Sequence, residues 1–312
     1  PAMSATMSKR PYTGIWPVAP TPFNADGSLD LEGMKRVLDL MIDQGVDGIC
    51  ILANFSEQFL LSDEEREVLT RLCLEHVAGR VPVIVTVSHF ATQIVEARAR
   101  LAASLGASML MMMPPYHGTG LRADEVSVIE HFRAAGKAGG IPIMLQDAPL
   151  SGVQLTVGQI VRMAREVPEL RYFKIETPQT AAKLRGLIAE GGDLIEGPFD
   201  GEEAITLMAD LNAGATGAMT SAMIPDLIRP VIVDFREGRK GQAKAGYARV
   251  LPAINFENRQ CGWRSAKIAM KHGGVIKSDF VRHPIKGVHP DTEAELMDLL
   301  RELDPLVLRW GK

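Results

Sequence analysis

"LRYFKIETPQTAAKLRGLIAEGGDLIEGPFD", residues 170–200, runs through a strand, a helix and a second strand without a long loop. Its first part is aromatic and branched apolar, as a strand prefers. Its middle places Leu184, Leu187 and Ile188 at helical spacing among good helix formers. Its end, "DLIEGPFD", returns to strand-like composition. About thirty residues is the length of one strand–helix–strand crossover. Lys174 stands inside the first apolar run. Lysine is among the residues least often buried, so its place there asks for a reason.

The same alternation extends in both directions. "GIWPVAP" (14–20), "DGICILAN" (47–54), "VPVIVTVS" (81–88), "ASMLMMMPP" (107–115) and "IPIMLQDAP" (141–149) each precede an amphipathic, helix-like stretch. "LRYFKIET" (170–177), "DLIEGPFD" (193–200) and "ATGAMTSA" (215–222) do the same, the last two before "EEAITLMADLNAG" and "IPDLIRPVIVDFREG". Nearly continuous apolar strands imply a parallel sheet covered by helices. Eight such units predict a (β/α)8 TIM barrel, with its active site at the C-terminal strand ends. A doubly wound open sheet would favour a glycine-rich turn after its first strand, and "APTPFNADG" is not one. Residues 14–239 are thus assigned to the barrel, 240–312 to a C-terminal helical extension and 1–13 to an N-terminal tail. Ser62 and Glu65 have the spacing of a capping box before the second helix.

Charge and composition narrow the function. The 312 residues carry a net charge of −4 and no dense Lys/Arg run, which argues against a nucleic-acid partner. No apolar run approaches the length of a membrane span, and the start lacks a signal-peptide core, so a cytoplasmic protein is expected. Cys50, Cys73 and Cys261 are odd in number and widely spaced, the pattern of a reduced protein without a disulfide frame or zinc site.

In a strand, residues i and i+2 face the same way, so Lys174 and Glu176 share a side, with Tyr172 one layer deeper. A desolvated lysine loses proton affinity and can attack a ketone. A Lys–Glu ion pair closing a barrel end would use the same residues. The other strand ends supply further candidates. Asn54, Phe55 and Ser56, after the second strand, offer small polar groups and backbone N–H donors suited to a carboxylate, or a turn with an Asx bond. Tyr116 and His117 follow Pro114-Pro115 and could line a site or an interface between subunits. Gln146 ends the fifth strand at a level comparable to Lys174. Phe199 could form a wall, and Asp200 a substrate contact or the N-cap of the seventh helix. Met109, Met111, Met112 and Met113 read as core filling, and His89 as a polar rim or loop residue.

These segments together resemble the dihydrodipicolinate synthase / N-acetylneuraminate lyase family. The resemblance runs from about Gly14 to about Leu303. It rests on "PVAPTPFNADGSLD", "ANFSEQFLLSDEER", "MMPPYHG", "LQDAP" and "YFKIET". It implies a TIM barrel with a C-terminal helical region, a homotetramer built as a dimer of dimers, a small 2-keto acid substrate, and no metal or organic cofactor. It also implies that Lys174 forms a Schiff base. The family's fifth strand commonly ends in a Tyr-Asn-x-Pro-like run, where the tyrosine relays protons in aldol chemistry. Here the run is Gln146-Asp147-Ala148-Pro149, and an amide cannot relay a proton as a phenol can. "PLSGVQL" also lacks the arginine with which the synthase branch holds its second substrate. The departures favour dehydration of a keto-deoxy sugar acid over aldol chemistry. In that reading Lys174, Glu176, Gln146 and Tyr116 form the catalytic set, and Asn54, Phe55, Ser56, Phe199 and Asp200 bind substrate.

Overall fold

The computed structural model describes residues 12–312, so the expected N-terminal tail lies almost wholly outside the described residues. The strands are β1 Gly14–Ile15, β2 Ile49–Ile51, β3 Val83–Thr86, β4 Met109–Met112, β5 Ile143–Asp147, β6 Leu170–Ile175, β7 Glu196–Asp200 and β8 Gly217–Ala218. The helices that follow them in turn are α1 Leu31–Asp43, α2 Asp63–Val77, α3 Thr92–Ser104, α4 Glu125–Gly139, α5 Val157–Glu166, α6 Thr180–Gly191, α7 Leu207–Asn212 and α8 Pro225–Arg236. Three more close the chain: α9 Lys240–Phe256, α10 Arg264–His272 and α11 Pro290–Leu303.

The strands form one eight-stranded sheet in the order β1-β8-β7-β6-β5-β4-β3-β2. From β2 to β8 each strand neighbours its successor, β1 neighbours β8, and Val18, just beyond β1, makes parallel bridges to both Cys50 and Ser221. That closes a (β/α)8 barrel with a C-terminal helical extension, as the alternation of strand and helix predicts. The terminal strands are shorter than their apolar runs. Pro17 and Pro20 have no N–H to give to a ladder, so β1 stops at Ile15 and resumes only as the single bridge at Val18. The capping box holds: Ser62 Oγ accepts from Glu65 N at 3.1 Å, and Glu65 Oε1 accepts from Ser62 N at 3.0 Å.

The seventh helix departs from expectation. Helical composition begins at Glu202, yet α7 covers only Leu207–Asn212. Glu203 and Ala204 take positive φ, 48° and 69°, which a continuous right-handed helix cannot contain. Thr206 stands at its N-cap position, so the N-cap role expected of Asp200 is corrected.

By packing the chain divides into two compact units. One comprises Ile84–Glu202 and Thr206–Met219 with Tyr12 and Thr13. Its core includes Phe132, Phe173 and the four methionines of 109–113, each at most 1% exposed, as expected for core filling. Tyr172 lies below Lys174, and its hydroxyl accepts from Tyr12 N at 3.0 Å. The other unit comprises Gly14–Val83, Glu203–Ile205 and Thr220–Lys312. There Gly48 passes under Trp16 so closely that a Cβ would stand 2.1 Å from Trp16 Cε3. Asp47 ties β1 to α8, accepting from Ile15 N and from Arg229 Nη2 at 3.0 Å. The C-terminus docks on α1 through Trp310 Nε1, which donates to Asp43 at 2.7 Å, with the Arg36 guanidinium over the indole.

Candidate active site

The register of β5, β6 and β7 builds the site. Gln146 pairs with Lys174, and Lys174 pairs with Phe199. Paired residues in neighbouring strands point to the same face, so these three stand in one row across the sheet. Glu176, two residues beyond Lys174, turns to that same side. Its Oε1 lies 2.9 Å from Lys174 Nζ and accepts from Gln146 Nε2 at 3.1 Å. One carboxylate oxygen thus gathers the amine and the amide. Lys174 is 3% exposed, Gln146 1% and Phe199 0%, so the amine is held in a largely desolvated place. Gln146 Oε1 is buried and has no hydrogen-bond partner among the described residues.

The next row, Asp147, Ile175 and Asp200, has the opposite parity and faces the helices. Asp147 meets Lys183 of α6 at 2.5 Å, and Lys183 also donates to Leu155 O. Burial pushes the Asp147 carboxyl above its ordinary range, partly offset by that ammonium. Asp200 is fully buried. Its Oδ1 accepts from Glu202 N at 2.9 Å, and it interacts with Asp210 of α7. Burial, then the Asp210 charge, raises the Asp200 carboxyl well above the usual range. Burial raises Asp210 too, while the Thr206 hydroxyl, donating at 2.8 Å, offsets part of it. Asp200 therefore serves the packing of β7 against α7, and its carboxyl is directed away from the row that carries Lys174.

Tyr116 and His117 lie in the turn after β4. Tyr116 is half-buried, and burial pushes its phenol up; His117 lies against Phe90, ring centroids 6.1 Å apart. His89 is a loop residue whose Nδ1 accepts from Ala91 N.

Asn54, Phe55 and Ser56 belong to the other unit, where they form a single 3-10 turn directly after β2. The Ser56 hydroxyl donates to Ala19 O at 2.7 Å and accepts from Ala53 N at 3.1 Å, so its one donor is spent on shaping the turn. Asn54 Oδ1 accepts from Gln58 Nε2 at 2.6 Å. The chain leaves the turn through Glu57 at φ 61°, a conformation that costs a non-glycine residue energy and needs support. The support is a second buried lysine. Lys267 of α10, 0% exposed, lies 2.8 Å from Glu57 Oε2, donates to Phe280 O and sits over the Phe23 ring. Arg282 covers the same ring and pairs with Glu65 at 2.5 Å. Burial pushes Glu57 up and Lys267 down, and each charge offsets part of the other's shift. Sequence reasoning missed this pair, since 210 residues separate its members.

The barrel thus carries a largely buried lysine on its sixth strand, beside a carboxylate. The chain belongs to the dihydrodipicolinate synthetase family, which matches residues 11–303. It is 58% identical over 307 residues to L-2-keto-3-deoxyarabonate dehydratase of Azospirillum brasilense, covering 98% of this chain and 99% of that protein. It is 32% identical over 266 residues to 4-hydroxy-tetrahydrodipicolinate synthase of Xanthomonas axonopodis pv. citri, covering 83% of each. Among solved structures it resembles YagE of E. coli K12, a family member crystallised with pyruvate: TM-score 0.85, 25% identity, 94% of this chain and 99% of that one. Dihydrodipicolinate synthase of Aquifex aeolicus shares the fold, with TM-score 0.87 at 21% identity over 94% of this chain and 99% of that one.

Proposed function

We propose that the chain is a hydro-lyase that converts 2-keto-3-deoxy-L-arabonate to 2-oxoglutarate semialdehyde and water through a Schiff base on Lys174. The observation that carries the reaction class is the convergence of Lys174 Nζ and Gln146 Nε2 on Glu176 Oε1. The choice of substrate rests on the 58% identity to a dehydratase of that name.

The chemistry uses these groups in order. The Lys174 amine attacks C2, and water leaves to give a protonated imine. That electron sink acidifies C3, and Glu176, 2.9 Å from the amine, takes the C3 proton. The enamine electrons then expel the C4 hydroxyl, which departs as water after receiving a proton from Glu176 or from a water it holds. A conjugated iminium remains over C2, C3 and C4. A proton lost from C5 gives a dienamine that carries the C4–C5 enol; a proton gained at C4 with the hydroxyl proton lost makes the aldehyde, and a proton gained at C3 restores the iminium. Water hydrolyses the imine and frees Lys174. No carbon–carbon bond breaks.

Gln146 has a different part from a relay phenol. Its amide holds Glu176 through Nε2, and its buried Oε1 is an acceptor for a hydroxyl of the substrate. Phe199, in the same row, supplies a wall that keeps water from the amine. The C1 carboxylate is assigned to the Asn54-Phe55-Ser56 turn, and Tyr116 to the lining. A homotetramer in the cytoplasm, in a pathway of L-arabinose breakdown, belongs to the same reading; light scattering of the purified protein would report the assembly. The test of function is product analysis after incubation with 2-keto-3-deoxy-L-arabonate. A five-carbon semialdehyde with no carbon lost supports the dehydratase. Pyruvate and a two-carbon aldehyde would make the chain an aldolase instead.

A further inference from the structure

The end of β7 touches both reacting side chains through a residue that has none. A Cβ built on Gly201 would stand 2.5 Å from Lys174 Cγ, 2.6 Å from Glu176 Cγ and 3.0 Å from Lys174 Cε. Carbon atoms in contact sit about 3.5–4.0 Å apart, so even one methyl group must displace both stems by about an ångström. Both clashing Cγ atoms are near the roots of their side chains, where small torsions cannot carry them clear.

Two observations separate this glycine from one required by its backbone. Gly201 does not take a positive φ, so its conformation is open to alanine. It also has little freedom to retreat. Gly201 N donates to Ile175 O at 3.1 Å, the residue between Lys174 and Glu176. On its flanks, Met219 N donates to Asp200 O at 2.8 Å, and Glu202 N donates to Asp200 Oδ1. The backbone is therefore held against the two stems by bonds to the segments on both sides of it, β6 and the end of β8.

We infer that Gly201 is a positioning residue: its bare backbone fixes the stems of Lys174 and Glu176 side by side and so places the amine for attack on C2 beside the carboxylate that moves the protons. This rests on the Schiff-base reading above. A long lysine side chain has many rotamers, and a mutual attraction at its tip selects among them weakly. A rigid surface along the stem selects among them before substrate arrives, which is the preorganisation that proximity catalysis needs.

The test is Gly201→Ala, read by borohydride trapping of pyruvate on the protein across pH, with kcat and KM for the dehydration. The expected result is a loss of trapping rate and of kcat on the order of a hundredfold, as for an ångström-scale misplacement, with KM changed far less and the pH midpoint of trapping moved. A purely structural glycine would lower the amount of folded protein and leave that midpoint in place. The double variant Gly201→Ala/Glu176→Ala removes one of the two stems the methyl strikes. Compared with Glu176→Ala alone, it should lose much less trapping than Gly201→Ala loses against the parent. Equal losses in both backgrounds, or a Gly201→Ala protein that traps pyruvate like the parent, would overturn the inference. A parent protein that traps no keto acid would instead overturn the Schiff-base reading.

Discussion

Lys267→Met tests whether the second buried lysine is structural. The side chain is 0% exposed and serves three partners: Glu57 at 2.8 Å, Phe280 O and the Phe23 ring. Methionine fills much the same volume, so little of the loss arises from a cavity. What remains is Glu57, 2% exposed, with Oε1 already lacking a hydrogen-bond partner among the described residues. Removing one member of such a pair costs about 3–5 kcal/mol, because the other charge stays buried and uncompensated. At about 2–4 °C per kcal/mol for larger domains, the melting midpoint should fall by roughly 6–20 °C. The deficit must also depend on pH. Burial raises the folded pKa of Glu57, and without Lys267 its main opposing partner is gone, leaving only the Arg282 and Arg264 charges against that shift. A raised acid binds its proton more tightly in the folded state, so the deficit is greatest above its folded pKa and shrinks as pH falls. Circular dichroism melts at pH 7.5 and 5.5 would measure both effects, and Glu57→Gln/Lys267→Met should recover part of the loss. A deficit below about 1 kcal/mol, or one equal at the two pH values, would refute the reasoning.

Three further outcomes follow from the same geometry. Glu257 is buried, accepts from Ser221 Oγ at 2.6 Å and from Ser265 Oγ, and is pushed up to about 7 by burial. Its contribution is fully present below its unfolded pKa and lost as pH rises through about 7, so the urea midpoint should decline from pH 5 to 8.5 and flatten in Glu257→Gln. Glu176→Gln should lower kcat by about 10²–10⁴-fold while a borohydride-trapped adduct still forms, because the acid–base group is lost and the amine is kept; turnover at the parent rate would remove Glu176 from the chemistry. Lys183→Met strands the Asp147 carboxylate, 1% exposed, and should destabilise by about 3–5 kcal/mol in chemical denaturation, with partial rescue by Asp147→Asn.

Local signals in the sequence were enough for the order of elements and for the pairing of Lys174 with Glu176, which requires only the two-residue period of a strand. The end of the fifth strand puts Gln146 at a level comparable to Lys174, and the two are register partners. The orientation of Asp200 is not legible in the sequence, because it depends on a shift in the β6–β7 register. Tyr172 pairs with Glu196 and Lys174 with Phe199, so two residues on one strand match three on the other. That irregularity gives Phe199 the site-facing position and turns Asp200 toward α7. Helical composition from Glu202 onward hid the positive φ of Glu203 and Ala204. The support of the turn after β2 was illegible for another reason. Glu57 and Lys267 meet only in the folded chain, and each looks like an ordinary surface charge in its own segment.

The most direct test of the central claim is peptide mapping after borohydride reduction in the presence of pyruvate. The account predicts a single reduced adduct on Lys174, retained in Lys267→Met and absent in Lys174→Arg. An adduct on Lys267, or none on any lysine, would contradict it and leave Lys174 and Glu176 as an ion pair that closes the barrel end.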